Sequence, residues 1–130
     1  MIYRIGASRL IENEIGHGTT LLRTHVEVDV IVGLKAVESI LTLKTKYAGA
    51  ITIQICVFAQ EGITNMVDQV ELMREALRLG CDAVGSAPYC DPLPEKNIDI
   101  VFELGTEFGV PVDFHLVNEP RDDLFDYAHS

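Results

Sequence analysis

Apolar residues follow two alternating rhythms along this chain. Short runs with a period of 2 give way to longer runs with a period near 3.6, the signatures of strand and helix. Leu34, Val37, Ile40 and Leu41 form one helical stripe. Val70, Met73, Leu77 and Leu79 form a second, and Ile98, Val101, Phe102 and Phe108 a third. Each helical run closes on a glycine, and a β-rich run follows at once, as in TKYAGAITIQICVFA and TEFGVPVDFHLV. Gly18, Gly49, Gly80 and Gly109 are spaced by 31, 31 and 29 residues, and glycine suits the position just after a helix. The spacing predicts a helix over about 2–15 and strands over about 20–28, 51–59, 82–87 and 111–117. Helices fill the gaps, starting near Thr64 and Pro94, and a fifth is expected over about 120–129.

Alternating βα units with short αβ turns predict a parallel sheet. One parity on its strands is polar: Arg23, His25, Glu27 and Asp29; Thr52, Gln54, Cys56 and Gln60; Asp113 and His115. A doubly wound, flavodoxin-like domain matches 130 residues in size. Against it, the chain opens on a helix and no glycine-rich phosphate loop follows a strand. The acidic pair Glu27 and Asp29, which could suggest a phosphoacceptor, has no lysine at a later strand end to balance it. Polar groups on one face, gathered at C-terminal strand ends, suit the lumen of a (βα)8 barrel, and eight repeats of this length reach the roughly 250 residues typical of it. The expectation is an α/β fold of about four of the eight units, residues 1–130 forming a single partial barrel domain. Its strands should run in consecutive order, with His25, Gln60 and His115 near the C-terminal edge of one concave face.

A formal charge of -10 argues against nucleic acid, whose phosphates want Lys and Arg, and against an anionic membrane. No apolar run reaches the length of a transmembrane helix, and MIYRIGASRL lacks the apolar centre of a signal peptide. The cysteines, Cys56, Cys81 and Cys90, are odd in number and form no CxxC. They read as free thiols, and the expected location is the cytoplasm.

The segments LLRTHVEVD, GLKAVESILTLKTKYAGAITIQICVFAQEG, LMREALRLGCDAVGSAPY and IDIVFELGTEFGVPVDFHLVNE, in this order, resemble the middle of the cytosine deaminase-like amidohydrolases. That family includes hydrolases of N-isopropylammelide. The resemblance runs from about residue 18 to 123 and implies strands two to five of a metal-dependent barrel. It implies hydrolytic cleavage of C–N bonds in cytosine-like pyrimidines or s-triazines, with a small heterocycle as substrate. His115 would bind the catalytic iron or zinc, Gln60 the heterocyclic ring, and Glu119 would relay protons. A histidine hydrogen-bonded in a polar core is the alternative for His115, and a strand-capping amide for Gln60. Glu119 lies one position beyond the family's glutamate, so its role needs a bulge at the strand end. Asp113 reads as a buried structural hydrogen-bonding group, His25 as a histidine satisfied by Glu27 or Asp29, and His17 and His129 as surface residues. The family's H-x-H pair has no counterpart here. With His115 as the one credible ligand, the chain alone is expected to hold no metal tightly and to be inactive. Its first and last strands, left as edges, should make it a homo-oligomer. The rival functions are a complete flavodoxin-like binding or signalling domain and a non-catalytic self-associating scaffold.

Overall fold

The computed structural model describes residues 2–31 and 33–116. Helix α1 (Ile2–Gly16) leads into β1 (Leu21–Glu27). Then follow α2 (Lys35–Lys46), β2 (Thr52–Ala59), α3 (Gln69–Arg78), β3 (Ala83–Ser86), a short 3-10 turn (Pro88–Cys90), α4 (Pro94–Phe108) and β4 (Val112–Phe114). The four strands are parallel and adjacent in the order β1-β2-β3-β4. A doubly wound sheet reverses its strand order at a switch point, whereas the four described strands do not. Because βα crossovers are right-handed, an unreversed order puts every helix on the same side of the sheet.

The side chains divide accordingly. Leu22, Val26, Ile53, Ile55, Val57, Ala59, Val84, Val112 and Phe114 point one way. They pack with Ile11 of α1, Val37 and Leu43 of α2, Met73, Ala76 and Leu77 of α3, and Val101 and Leu104 of α4 in one core. The opposite parity carries Arg23, His25, Cys56, Phe58, Ala83, Gly85 and Asp113, and among the described residues no helix packs on it. Cys56, Phe58, Ala83 and Ala87 form a small buried cluster there. Among the described residues no helix is long and apolar enough to cross a membrane.

Local chemistry accounts for the element ends. Pro94 occupies the first turn of α4, where a missing N–H costs nothing. Gly109, at φ 64, closes the same helix with its N–H on the Gly105 and Thr106 carbonyls, a left-handed position that suits glycine. Thr64 does not start α3, which begins five residues later at Gln69. The Thr64 backbone N–H and hydroxyl are both donated to Asp91, which ties this residue into the loop, and the helix starts only after Asp68 at φ 68. Gln69 instead anchors the helix start, its buried amide donating to the Val28 carbonyl at 2.6 Å. The strand expected over 111–117 is three residues long, with one further ladder bond from the His115 N–H to the Ser86 carbonyl. The helix expected over 120–129, together with Glu119, lies outside the described residues.

Candidate functional site

Three polar side chains meet on the uncovered face. His25 points out from β1, Asp113 from β4, and His115 follows one residue after β4. His25 Nε2 and Asp113 Oδ2 are 2.9 Å apart, and the His25 and His115 rings lie 4.8 Å apart between centroids. Phe58, on β2 and 3% exposed, packs edge-on to His25 and tilted on His115, with centroids at 5.4 and 4.2 Å. Its ring therefore lies against both imidazoles.

This contact requires curvature. β1 and β4 are the outer strands, three spacings or about 14 Å apart in a flat sheet. An imidazole and a short carboxylate meet across that span at 2.9 Å only if the sheet curls toward them. Gly85 lies under the crossing, paired in register with Asp113. A Cβ there would fall 1.9 Å from the Asp113 carbonyl oxygen and 3.1 Å from the Phe58 ring. The close approach of β4 depends on that missing side chain.

The surrounding charges are tethered. Arg23 donates from Nε and Nη2 to Gln54 Oε1 at 3.2 and 3.1 Å, leaving Nη1 3.7 Å from Asp113 Oδ2. Burial, then the Asp113 charge, pushes the Cys56 thiol up to about 12, so it is neither nucleophile nor thiolate at neutral pH. Glu27, at the end of β1, is pushed up by partial burial and then by the charges of Asp29 and Glu61.

Gln60 lies one residue beyond β2, on the parity of Phe58. Its amide contacts the Cys90 sulfur at 3.7 Å, and among the described residues it makes no hydrogen bond to the three-residue cluster. The loops around it are held by Asp91, which is 5% exposed. Asp91 accepts from the backbone N–H groups of Ile63, Thr64 and Leu93, from the Thr64 hydroxyl and from the Asn97 amide. Burial pushes this carboxyl up, but the bonds from Thr64, Asn97, Ile63 and Leu93 outweigh it and hold the value at about 2. One carboxylate thus ties the β2–α3 loop to the β3–α4 loop beside Gln60 and Cys90.

The structure brings His115 together with His25, to which sequence reasoning gave other partners, and with Asp113, which it read as a structural hydrogen-bonding group. His25 is bonded to Asp113 rather than to Glu27 or Asp29, and Asp113 is half-buried at that contact. Parity puts both on the polar face, but no sequence signal joins positions 88 residues apart on opposite edges. The N and O ligand atoms of His25, Asp113 and His115 all lie within 4.8 Å of one another. Two imidazoles and a carboxylate are a donor set suited to zinc or iron.

No family model matches the chain. It is 37% identical over 108 residues to the N-isopropylammelide isopropyl amidohydrolase of Pseudomonas sp. (strain ADP), covering 79% of this chain and 26% of that one. A crystal structure of N-isopropylammelide isopropylaminohydrolase from Burkholderia multivorans superposes with a TM-score of 0.80 at 30% identity, over 88% of this chain and 30% of that one. The 5-methylcytosine deaminase of Klebsiella pneumoniae, liganded with 5-fluorocytosine, superposes at 0.84 with 29% identity, over 95% of this chain and 31% of that one. The chain spans about a quarter of the length of the curated relatives it matches.

Proposed function

We propose that this chain, homologous to a segment of the cytosine deaminase-like amidohydrolases, forms one wall of a (βα)8-barrel hydrolase. Such an enzyme would cleave an exocyclic C–N bond of a cytosine-like pyrimidine or an s-triazine. The observation that carries the reading is the curled, polar, helix-free face, on which histidine and carboxylate groups converge at the C-terminal strand ends. That is where barrel enzymes keep their chemistry.

A divalent iron or zinc ion, when bound, would supply a Lewis acid and lower the pKa of water. His115 would hold it through an imidazole nitrogen. Gln60 would present one donor and one acceptor to an adjacent ring N–H and carbonyl, orienting the heterocycle. Glu119 would pass the proton to the departing amine. Phe58 would shield the histidine rings from water on the sheet side.

The test is made on the full reading frame that encodes this sequence. Ammonia release from cytosine and isopropylamine release from N-isopropylammelide are followed with added iron or zinc. The expected result is turnover of one of the two, abolished in His115→Ala and showing a raised KM in Gln60→Ala. The 130-residue chain assayed alone is expected to release neither amine. Absence of both activities from the full reading frame with either metal would overturn the reading.

A further inference from the structure

Gln60 stands at the end of β2 and the β4 end lies two strands away, with β3 between them. The last residue of β3, Ser86, is paired with Ala59 on one side and with Phe114 on the other. We propose that Ser86, Asn97 and Asp91 form a buried linkage that holds Gln60 in place against the β3 and β4 ends, which makes Asn97 a positioning residue for the heterocycle. The inference rests on the ring-holding role given to Gln60 above and assigns nothing further to His115.

The linkage runs on the helix side of the sheet. The Ser86 hydroxyl donates to Asn97 Oδ1 in the first turn of α4, and Asn97 Nδ2 donates to Asp91 Oδ2 at 2.9 Å. Asp91 in turn accepts the Ile63 N–H at 2.7 Å and the Thr64 N–H at 3.0 Å. Only Glu61 and Gly62 separate Gln60 from Ile63. Gly62, at φ 102, turns the chain there, and a Cβ on it would fall 2.3 Å from Asn65 Oδ1, so this short segment has little freedom. The residue before Gln60 is held as well, because the Ala87 N–H donates to the Ala59 carbonyl at 3.3 Å. From the other side β4 joins the same point, the His115 N–H donating to the Ser86 carbonyl at 3.0 Å. Cys90, next to Asp91, sets its sulfur 3.7 Å from the Gln60 amide. Ser86 and Asn97 are fully buried, and a buried network whose members are satisfied rigidifies what it joins. Asn97 is its centre, since a side-chain amide accepts from a hydroxyl and donates to a carboxylate at once. A carboxylate at that position would meet Asp91 as a like charge.

The experiment is a double-mutant cycle in the full reading frame, with KM read for whichever heterocycle is turned over. Asn97→Ala and Asn97→Asp should each raise KM roughly threefold or more, and neither should add to the effect of Gln60→Ala, since residues of one network are not additive. Asp82→Ala, a destabilising change at the opposite end of β3, should leave KM unchanged. No rise in KM, or an equal rise with and without Gln60, would overturn the inference and leave the proposed function standing. Absence of turnover from the unaltered protein counts against that function instead, and the linkage is then decided by a readout that needs no turnover. Burial pushes the Cys56 and Cys81 thiols up to about 12, so a disulfide reagent such as DTNB at neutral pH reports the exposed Cys90 alone. In the 130-residue chain, Gln60→Ala should speed that reaction by freeing the sulfur. Asn97→Ala should speed it as much, and the double variant no further. An unchanged Cys90 rate in Asn97→Ala would overturn the linkage. Should Asn97→Ala fail to fold, Ser86→Ala, which removes only the hydroxyl, is read in both assays with the same expectations.

Discussion

Asp91 holds the loops at the C-terminal edge with a single carboxylate, and its acidity makes that role measurable. Its folded value is about 2 against an ordinary 3.8, so as the pH falls the unfolded chain takes up the proton first. The stabilisation is therefore whole above about pH 4 and disappears as the pH falls through about 2. Asp91→Asn should destabilise the chain near neutral pH, because it replaces a charged acceptor of several bonds. The difference from the unaltered chain should shrink steadily below about pH 4. Urea unfolding of both proteins across that range checks it, and a gap that stays constant into acid would contradict the assignment. The same carboxylate holds Thr64, which reads as a helix cap, in the loop that precedes α3. In the sequence a threonine before NMVDQVELMREAL invites a helix start, and its partner 27 residues away is not visible there.

At the scale of elements, Asp82 joins three of them. Ahead of β3, it accepts the Ile55 N–H of β2 at 2.8 Å and pairs with Lys44 of α2 at 2.7 Å. These two bonds differ in worth. Removing the carboxylate leaves a strand N–H without its acceptor, which costs roughly 1–3 kcal/mol. Removing the lysine breaks an ion pair about one-third exposed on each side, worth less than about 1 kcal/mol. Asp82→Ala should therefore lower the urea midpoint clearly more than Lys44→Ala, and equal losses would show that the ion pair, not the backbone bond, dominates. The bounds of the first two strands were legible from periodicity, whereas the start of α3 and the length of β4 were not. Strands expected over about 20–28 and 51–59 are Leu21–Glu27 and Thr52–Ala59, because alternation and bordering glycines act locally.

For the whole molecule, the helix-covered face is closed and the curled face is open. Among the described residues β1 and β4 have no strand beyond them, so each offers unpaired backbone groups along its outer side. Leu21 and Leu116 are also exposed beside those edges. A formal charge of -10 opposes association, but at physiological salt the Debye length is about 8 Å and the repulsion is largely screened. Burial of apolar edge residues at roughly 25 cal/mol per Å² acts the other way. The 130-residue chain is expected to form a dimer or a larger closed assembly. Light scattering at tens of micromolar checks this, and a mass near 14.4 kDa would refute it.

Reading along the chain was enough to predict a parallel α/β sheet, its polar parity and the strand ends near which Gln60 and His115 stand, while the doubly wound alternative stayed open until the strand order was seen. These features follow from local periodicity, turn glycines and short connections, which neighbouring residues determine together. What the sequence could not disclose is which polar residues meet. Arg23, His25, Gln54 and Asp113 are all visible as one face, but parity says nothing about distance across it. The His25–Asp113 contact joins the two outermost strands, and it exists because the sheet curls and because Gly85 and Ala83 leave the middle of that face low. Phe58 escaped notice for a related reason. An aromatic ring in an apolar strand reads as core, and only the curvature sets it between two imidazoles. Pairing within a strand is written in the spacing of its residues, whereas pairing across four strands is decided by the shape of the sheet.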